Sequence, residues 1–241
     1  MSSSSRVRDA VILMAGTGSR LRVKDEGLPK PLFPFLGRPL AAYIMEALAR
    51  AGVKNIYAIT GFGRETITSR LTDLAPNGVK LHFVYNPEFQ KQNGISVLAA
   101  ASVVPSPFLL TMSDHLFDDS VVEMMAKQPE PDCVAVAIDR KIDAIFDLPD
   151  AMKIQTSGSR VQEIGKDLTA FDAIDTGLFI CAKTFFDYLE RAKRNGDVSL
   201  SDGVRLAAKD GKAHVVDIGE AWWQDVDTPE MFREAERRLE V

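Results

Sequence analysis

Two glycines, Gly16 and Gly18, follow an apolar run, and five cations lie between Thr17 and Arg38: Arg20, Arg22, Lys24, Lys30 and Arg38. Only Asp25 and Glu26 oppose them, in a chain whose formal net charge is −5. Glycine lets backbone N–H groups approach an anion closely, and Lys and Arg neutralise phosphate oxygens, Arg through a forked contact. The chemistry that fits this combination is the binding of a polyphosphate. A basic surface loop with turn glycines accounts for the local charge equally well. Two common phosphate motifs are excluded by spacing. The third glycine of a dinucleotide fingerprint would fall on Leu21, and no Gly-Lys-Ser/Thr follows a P-loop spacer.

Carboxylates supply a second kind of chemistry. Asp114 follows an apolar strand, and a carboxylate at a strand's carboxyl end can hold Mg²⁺ against a phosphate. A turn residue or helix cap before Leu116 explains Asp114 on its own equally well. Asp225 and Asp227 are two positions apart, so on a strand they share one face and can point at one ion. Capping of the last helix is the alternative for that pair, but Thr228 already suits it. Asp227 is therefore expected as a metal ligand with Asp225 as co-ligand.

The elements that must position these residues follow from periodicity. Residues 9–14 read as a strand buried on both faces, and 39–51 as a helix opened by Pro39 and closed by Gly52. Strands at 55–60, 79–85 and 108–112 then alternate with helices at 64–74, 94–103 and 119–127. That alternation predicts parallel βαβ units with the ligand at the strands' carboxyl ends. After residue 132 the rhythm changes. Strands at 134–139, 151–156, 160–164 and 176–182 come with little helix between them. Helices return at 183–194 and 200–209, a strand follows at 213–218, and Thr228 caps a final helix. The expectation is a tail over 1–8, disordered, and one domain over 9–241. Its nucleotide-binding half is 9–131 and its acceptor-binding half 132–241.

Composition sets outer limits. Hydrophobic content of 46% with 26% charged residues marks a globular chain rather than a disordered one. The acidic balance argues against a nucleic-acid partner. The serine-rich start lacks the apolar core of a secretory signal, and the apolar run 95–112 is broken by Pro105 and Pro107, so no stable membrane insertion is expected. Cys133 and Cys181 sit in apolar runs and read as free buried thiols of a reducing, cytoplasmic compartment.

Several segments together resemble a known family. Gly16-x-Gly18-x-Arg20-Leu21, Pro29-Lys30-Pro31-Leu32 and Gly37-Arg38-Pro39-Leu40 look like the signature of the sugar-phosphate and alcohol-phosphate nucleotidyltransferases, with Met14 where the family usually has Ala. Further matches are Asn93-Gly94-Ile95-Ser96, Ser113-Asp114-His115, Glu163-Ile164-Gly165-Lys166, Asp175-Thr176-Gly177 and Asp225-Val226-Asp227. Their order and spacing, from about residue 9 to 239, are similar to the CTP:inositol-1-phosphate cytidylyltransferases.

The resemblance implies an α/β, Rossmann-like three-layer fold, with a mixed central sheet and a small antiparallel extension on the acceptor side. It also implies a reaction: the phosphate monoester of an alcohol, inositol 1-phosphate above all, attacks the α-phosphorus of CTP with Mg²⁺ present, and pyrophosphate leaves. Arg20 and Lys30 would be catalytic. Met14, Ala15, Gly16, Thr17, Gly18, Asn93, Gly94, Ser96 and Asp114 would bind the nucleotide, although Asn93 and Ser96 also suit helix capping. Lys166, Asp175, Lys153 and His115 would serve the acceptor. A phosphate anion needs little deprotonation, so a structural or acceptor-contacting role is expected for His115 rather than that of a general base. Asp143 and Asp147 fall in an irregular, acceptor-side loop. Phosphocholine, a phosphonate, glycerol phosphate and a sugar 1-phosphate stay open as acceptors. No membrane-embedded phosphotransferase half is expected to follow, so the CDP-alcohol would pass to a separate CDP-alcohol phosphotransferase. A homodimer is an open option.

Overall fold

The computed structural model describes residues 6–18 and 27–239. Arg20, expected to be catalytic, lies outside them, as do Arg22, Lys24, Asp25 and Glu26. The first strand, β1 (Asp9–Met14), is buried from Ala10 onward. Its alternate side chains enter two different cores. Val11 and Leu13 join one cluster, and Ala10, Ile12 and Met14 the other. This is why the run is apolar without alternation: both faces of the strand are covered.

Beyond the loop come a 3₁₀ turn at Lys30–Leu32 and a hairpin of β2 (Pro34–Phe35) and β3 (Arg38–Pro39). Next in order are α1 (Leu40–Arg50), β4 (Asn55–Thr60), α2 (Arg64–Thr72), β5 (Lys80–Tyr85), α3 (Asn93–Leu98) and β6 (Phe108–Met112). β7 (His115–Phe117), α4 (Asp119–Ala126), β8 (Val134–Asp139), β9 (Lys153–Ser157), β10 (Arg160–Gly165) and β11 (Ala173–Cys181) follow. The chain ends with α5 (Thr184–Ala192), α6 (Leu200–Lys209), β12 (Ala213–Asp217), β13 (Trp223–Asp225) and α7 (Pro229–Leu239).

Nine strands form one mixed sheet in the order β5-β4-β1-β6-β11-β8-β12-β10-β9. The first four are parallel, as the βαβ rhythm predicts, and β11 runs antiparallel to both β6 and β8. Side chains of α1, α2 and α4 fill the core on one face, and those of α3, α5 and α6 fill it on the other. The expected three-layer mixed α/β fold is therefore what forms. The β9–β10 hairpin, which also pairs with β11, is the antiparallel extension.

Differences from the sequence reading have local causes. The helix expected over 94–103 stops at Leu98 and continues as turns, ahead of Pro105. The β2–β3 hairpin and the β7–β13 ribbon are two and three residues per strand, too short to leave a periodic trace. Within the stretch 1–8 expected as a tail, Val7 is buried and its N–H donates to the Ala126 carbonyl at 2.9 Å; residues 1–5 lie outside the described residues. Cys133 and Cys181 are free and buried, as expected. Thr228 does cap α7, its hydroxyl accepting from the Met231 N–H at 3.2 Å.

One helix start has a full reciprocal cap. The Ser199 hydroxyl accepts from Asp202 N and the Asp202 carboxylate accepts from Ser199 N, both at 3.1 Å. Ser199→Ala should cost about 1 kcal/mol. A melting temperature lower by about 2–4 °C, with an unchanged denaturant m-value, is the expected result of thermal and urea unfolding.

Candidate active site

Asp114 leaves the carboxyl end of β6, beside the end of β1, where the Ser113 N–H donates to the Leu13 carbonyl at 3.0 Å. The β13–β7 ribbon pairs Asp225 with His115, and the Val226 N–H donates to the Asp114 carbonyl at 2.9 Å. That register delivers Asp227 to Asp114 from the far end of the chain. Between them lies the Lys30 ammonium, which donates to Oδ2 of Asp114 and Oδ1 of Asp227. Lys30 is buried on the 3₁₀ turn. Gly18 is held at φ +61°, and a Cβ there would fall 2.5 Å from the Lys30 Cβ, so only glycine lets the two strands of the loop pass this closely.

The electrostatics follow from this contact. Burial alone would lower the Lys30 ammonium, but the Asp114 and Asp227 carboxylates outweigh it and hold it above its ordinary value. Burial would raise Asp114, yet Lys30, followed by His115, drives it far below the usual carboxylate range. His115 is itself pushed down by burial and raised overall by the Asp114 carboxylate, to which Nδ1 stands at 2.7 Å. Desolvation raises Asp225, with His115 opposing and the neighbouring Asp227 and Asp114 charges adding to it.

Three clefts meet here. A first, of about 300 Å³, is lined by Met14, Ala15, Gly16, Gly18, Lys30, Asn93, Ser96, Asp114 and Asp227. A second, of about 430 Å³, is lined by Asp147, Lys166, Asp175, Trp222, Trp223, Asp225 and Asp227 among others. A third, of about 400 Å³, shares Asn93, Met112, Met152 and Asp175 with the second. Asp227 borders both of the first two.

Most residues expected at the nucleotide therefore gather in one cleft, but not all. Thr17 is exposed and does not line it. Gly94 is occupied elsewhere: a Cβ there would lie 2.6 Å from the Val198 carbonyl oxygen, so this glycine serves the close approach of α3 to the start of α6. Asn93 and Ser96 do not cap α3. The Asn93 carbonyl Oδ1 accepts from Leu200 N at 2.8 Å, and Asn86 Nδ2 donates to the Ser96 hydroxyl at 3.0 Å.

Of the residues expected at the acceptor, Lys166 and Asp175 line the second cleft, and Lys166 pairs with Asp150. His115 does not line it. Its ring is trapped under Gly177, where a Cβ would come within 2.4 Å, and it stacks beside Trp223 at 6.2 Å between centroids. Lys153 is turned away as well, onto the backbone carbonyls of Pro149, Ala151 and Lys166. Sequence reasoning missed Phe89 and Lys91 in the first cleft and Lys141, Glu220 and Arg238 in the second, where Phe146 also lies. Lys91 lies two residues before Asn93, and Lys141 sits beside the irregular loop that holds Asp143 and Asp147, whereas Glu220 and Arg238 carry no such neighbouring signal.

The donor set can be tested against Mg²⁺. The carboxylates of Asp114 and Asp227 converge on one point that carries a positive charge, and Mg²⁺ characteristically takes one or two carboxylates plus substrate phosphates. The pair fits. Among the described residues no three His, Cys, Asp or Glu side chains converge on one metal position, so Asp225 does not complete a three-carboxylate site in this arrangement.

Asp175 gives a pH prediction. Desolvation in the cleft wall pushes its carboxyl up to about 7, against the Gly177 N–H, which donates to Oδ1 at 2.8 Å, and the His115 charge. The folded value lies above the ordinary one, so between about pH 4 and pH 7 the native chain holds a proton that the unfolded chain lacks. Stability conferred by that proton is complete at acid pH and is lost as pH rises to about 7. Asp175→Asn should therefore be more stable than the parent by on the order of 2 kcal/mol at pH 8 and show no advantage near pH 4. Urea denaturation at the two pH values checks it.

The sequence profile of the Nucleotidyl transferase family matches residues 9–241. The chain is 33% identical over 232 residues to the bifunctional IPC transferase and DIPP synthase of Rubrobacter xylanophilus, covering 95% of this chain and 51% of that protein. It is 32% identical over 234 residues to the protein of the same name from Archaeoglobus fulgidus, covering 97% of this chain and 44% of that one. The chain thus spans about half the length of these relatives. Its fold matches the inositol-1-phosphate CTP transferase from T. maritima with a TM-score of 0.88 at 27% identity, over 98% of this chain and 96% of the other. With the paired carboxylates at the strand ends, the glycine-flanked lysine and a family match over nearly its whole length, the chain belongs to the nucleotidyl transferase family.

Proposed function

We propose that the chain catalyses Mg²⁺-dependent transfer of the cytidylyl group of CTP to inositol 1-phosphate, giving CDP-inositol and pyrophosphate. The observation that carries this reading is the position of Asp227, with Lys30 and Asp114, at the seam between the first and second clefts. A nucleotide in the first cleft puts its α-phosphorus at that seam, and an alcohol phosphate in the second approaches it from the other side. The similarity to inositol-1-phosphate CTP transferases supports the choice of substrates.

An acceptor phosphate oxygen forms the new bond to the α-phosphorus as the bond to the departing pyrophosphate breaks in line. The attacking phosphate is already an anion near neutral pH, so no general base is needed and positioning does most of the work. Lys30 supplies a fixed positive charge beside the reacting phosphates, and Gly16 and Gly18 leave backbone open to them. Asp114 and Asp227 would hold Mg²⁺, which when bound draws off the charge that develops on the phosphate oxygens. Lys166 is assigned to the acceptor's phosphate, and Asp175 to its hydroxyls as hydrogen-bond acceptor.

A second reading is favoured by one observation. Phe146, Trp222 and Trp223 line the second cleft together with Asp147, Glu220 and Asp225. Aromatic faces flanked by carboxylates also suit an alkylammonium, as in phosphocholine or an aminoalkyl phosphonate.

The deciding assay is pyrophosphate release with Mg²⁺, crossing four nucleoside triphosphates with inositol 1-phosphate, phosphocholine, glycerol 3-phosphate and glucose 1-phosphate. Turnover confined to CTP and inositol 1-phosphate is expected; turnover with phosphocholine would establish the second reading instead. Lys30→Ala and Asp114→Ala should each lower kcat by at least about 100-fold while retaining the far-ultraviolet spectrum of the parent. Turnover within a few-fold of the parent would remove both residues from the mechanism.

A further inference from the structure

Lys153 is a buried ammonium that the mechanism does not use. It is 8% exposed and, among the described residues, pairs with no carboxylate. On β9 it faces Gly165 of β10 on one side and Ile174 of β11 on the other. Its Nζ donates to the Lys166 carbonyl at 2.7 Å and to the Pro149 and Ala151 carbonyls at 3.4 Å, with the Phe171 ring 5.8 Å away. A charge withdrawn from water needs compensation, and here backbone dipoles provide it.

The three carbonyls belong to two segments of the second cleft's wall. Lys166 pairs with Asp150, and both line the cleft. Pro149 and Ala151 flank Asp150, so one ammonium holds the backbone at both ends of the Lys166–Asp150 pair. The wall continues through Met152, whose carbonyl accepts from the Asp175 N–H at 2.9 Å. An apolar side chain of similar length would fill the space but remove the one donor that ties these three carbonyls together.

We propose that Lys153 is a positioning residue: without touching substrate, it fixes the wall that presents Lys166, Asp150 and Asp175 to the alcohol phosphate. This rests on the reading of the second cleft as the acceptor's. Small displacements of a positioning wall reduce productive binding of the ligand that uses it and leave the other ligand's site intact.

The test is Lys153→Met in the full chain, with CTP and acceptor varied separately in the pyrophosphate assay, below the variant's melting temperature. The acceptor KM should rise about ten-fold or more, while the KM for CTP and kcat stay within about two-fold. Lys153→Arg, which keeps a donor, should recover at least part of the acceptor KM. A purely structural role predicts fewer active molecules: a lower apparent kcat with neither KM changed. That result, or a parallel rise in both KM values, would overturn the proposal. If Lys153→Met does not fold, the same split is read from Lys153→Gln and Lys153→Arg. The acceptor used is whichever the parent chain turns over. If that is not inositol 1-phosphate, the substrate reading fails, while the split in KM still decides the role of Lys153. If the parent turns over none, both fall.

Discussion

The active region depends on one contact: a buried ammonium held between two carboxylates that come from distant parts of the chain. Lys30, Asp114 and Asp227 are each costly to bury alone. Together they form a charge cluster whose geometry must be right before any of the three is tolerable. Gly18 must lack a side chain for Lys30 to pass, and the ribbon must bring Asp227 round to Asp114. His115 completes the arrangement by fixing the second oxygen of Asp114. Two carboxylates facing one ammonium concentrate charge at the seam between the first and second clefts.

The sheet explains why this cluster sits where it does. β1 and β6 are adjacent and parallel, so the loop after one and the carboxylate after the other emerge at the same edge. The reversed strand β11 closes the parallel half and starts the mixed half of the sheet. Its Gly177, at φ +77°, lets the backbone pass over the His115 ring. The first and second clefts are thus not two separate pockets. They are two sides of one strand-end seam, both bordered by Asp227.

Several residues that chemistry could claim turn out to be supports. His115 holds Asp114, Lys153 holds a cleft wall, and Gly94 accommodates the start of α6. Each is a reasonable site residue by type and neighbourhood. What removes them from the clefts is the direction of a side chain or the proximity of another backbone, and neither is encoded locally.

By itself the sequence determined the βαβ rhythm of the first half, the change to a mixed, partly antiparallel arrangement after residue 132 and the buried thiols. These depend on periodicity and on apolar runs, which act over a few residues. It also pointed to Asp114 and Asp227 as partners, though only through a pattern of types. Tertiary structure decided that Asp225 pairs with His115 across the ribbon and that Asn93 ties α3 to α6. It also decided that Phe146, Glu220 and Arg238 share a cleft with Lys166. Those outcomes rest on strand register and on contacts between residues far apart in the chain. A shift of one residue in the β7–β13 ribbon would exchange the faces that Asp225 and Gln224 occupy without altering any local sequence signal.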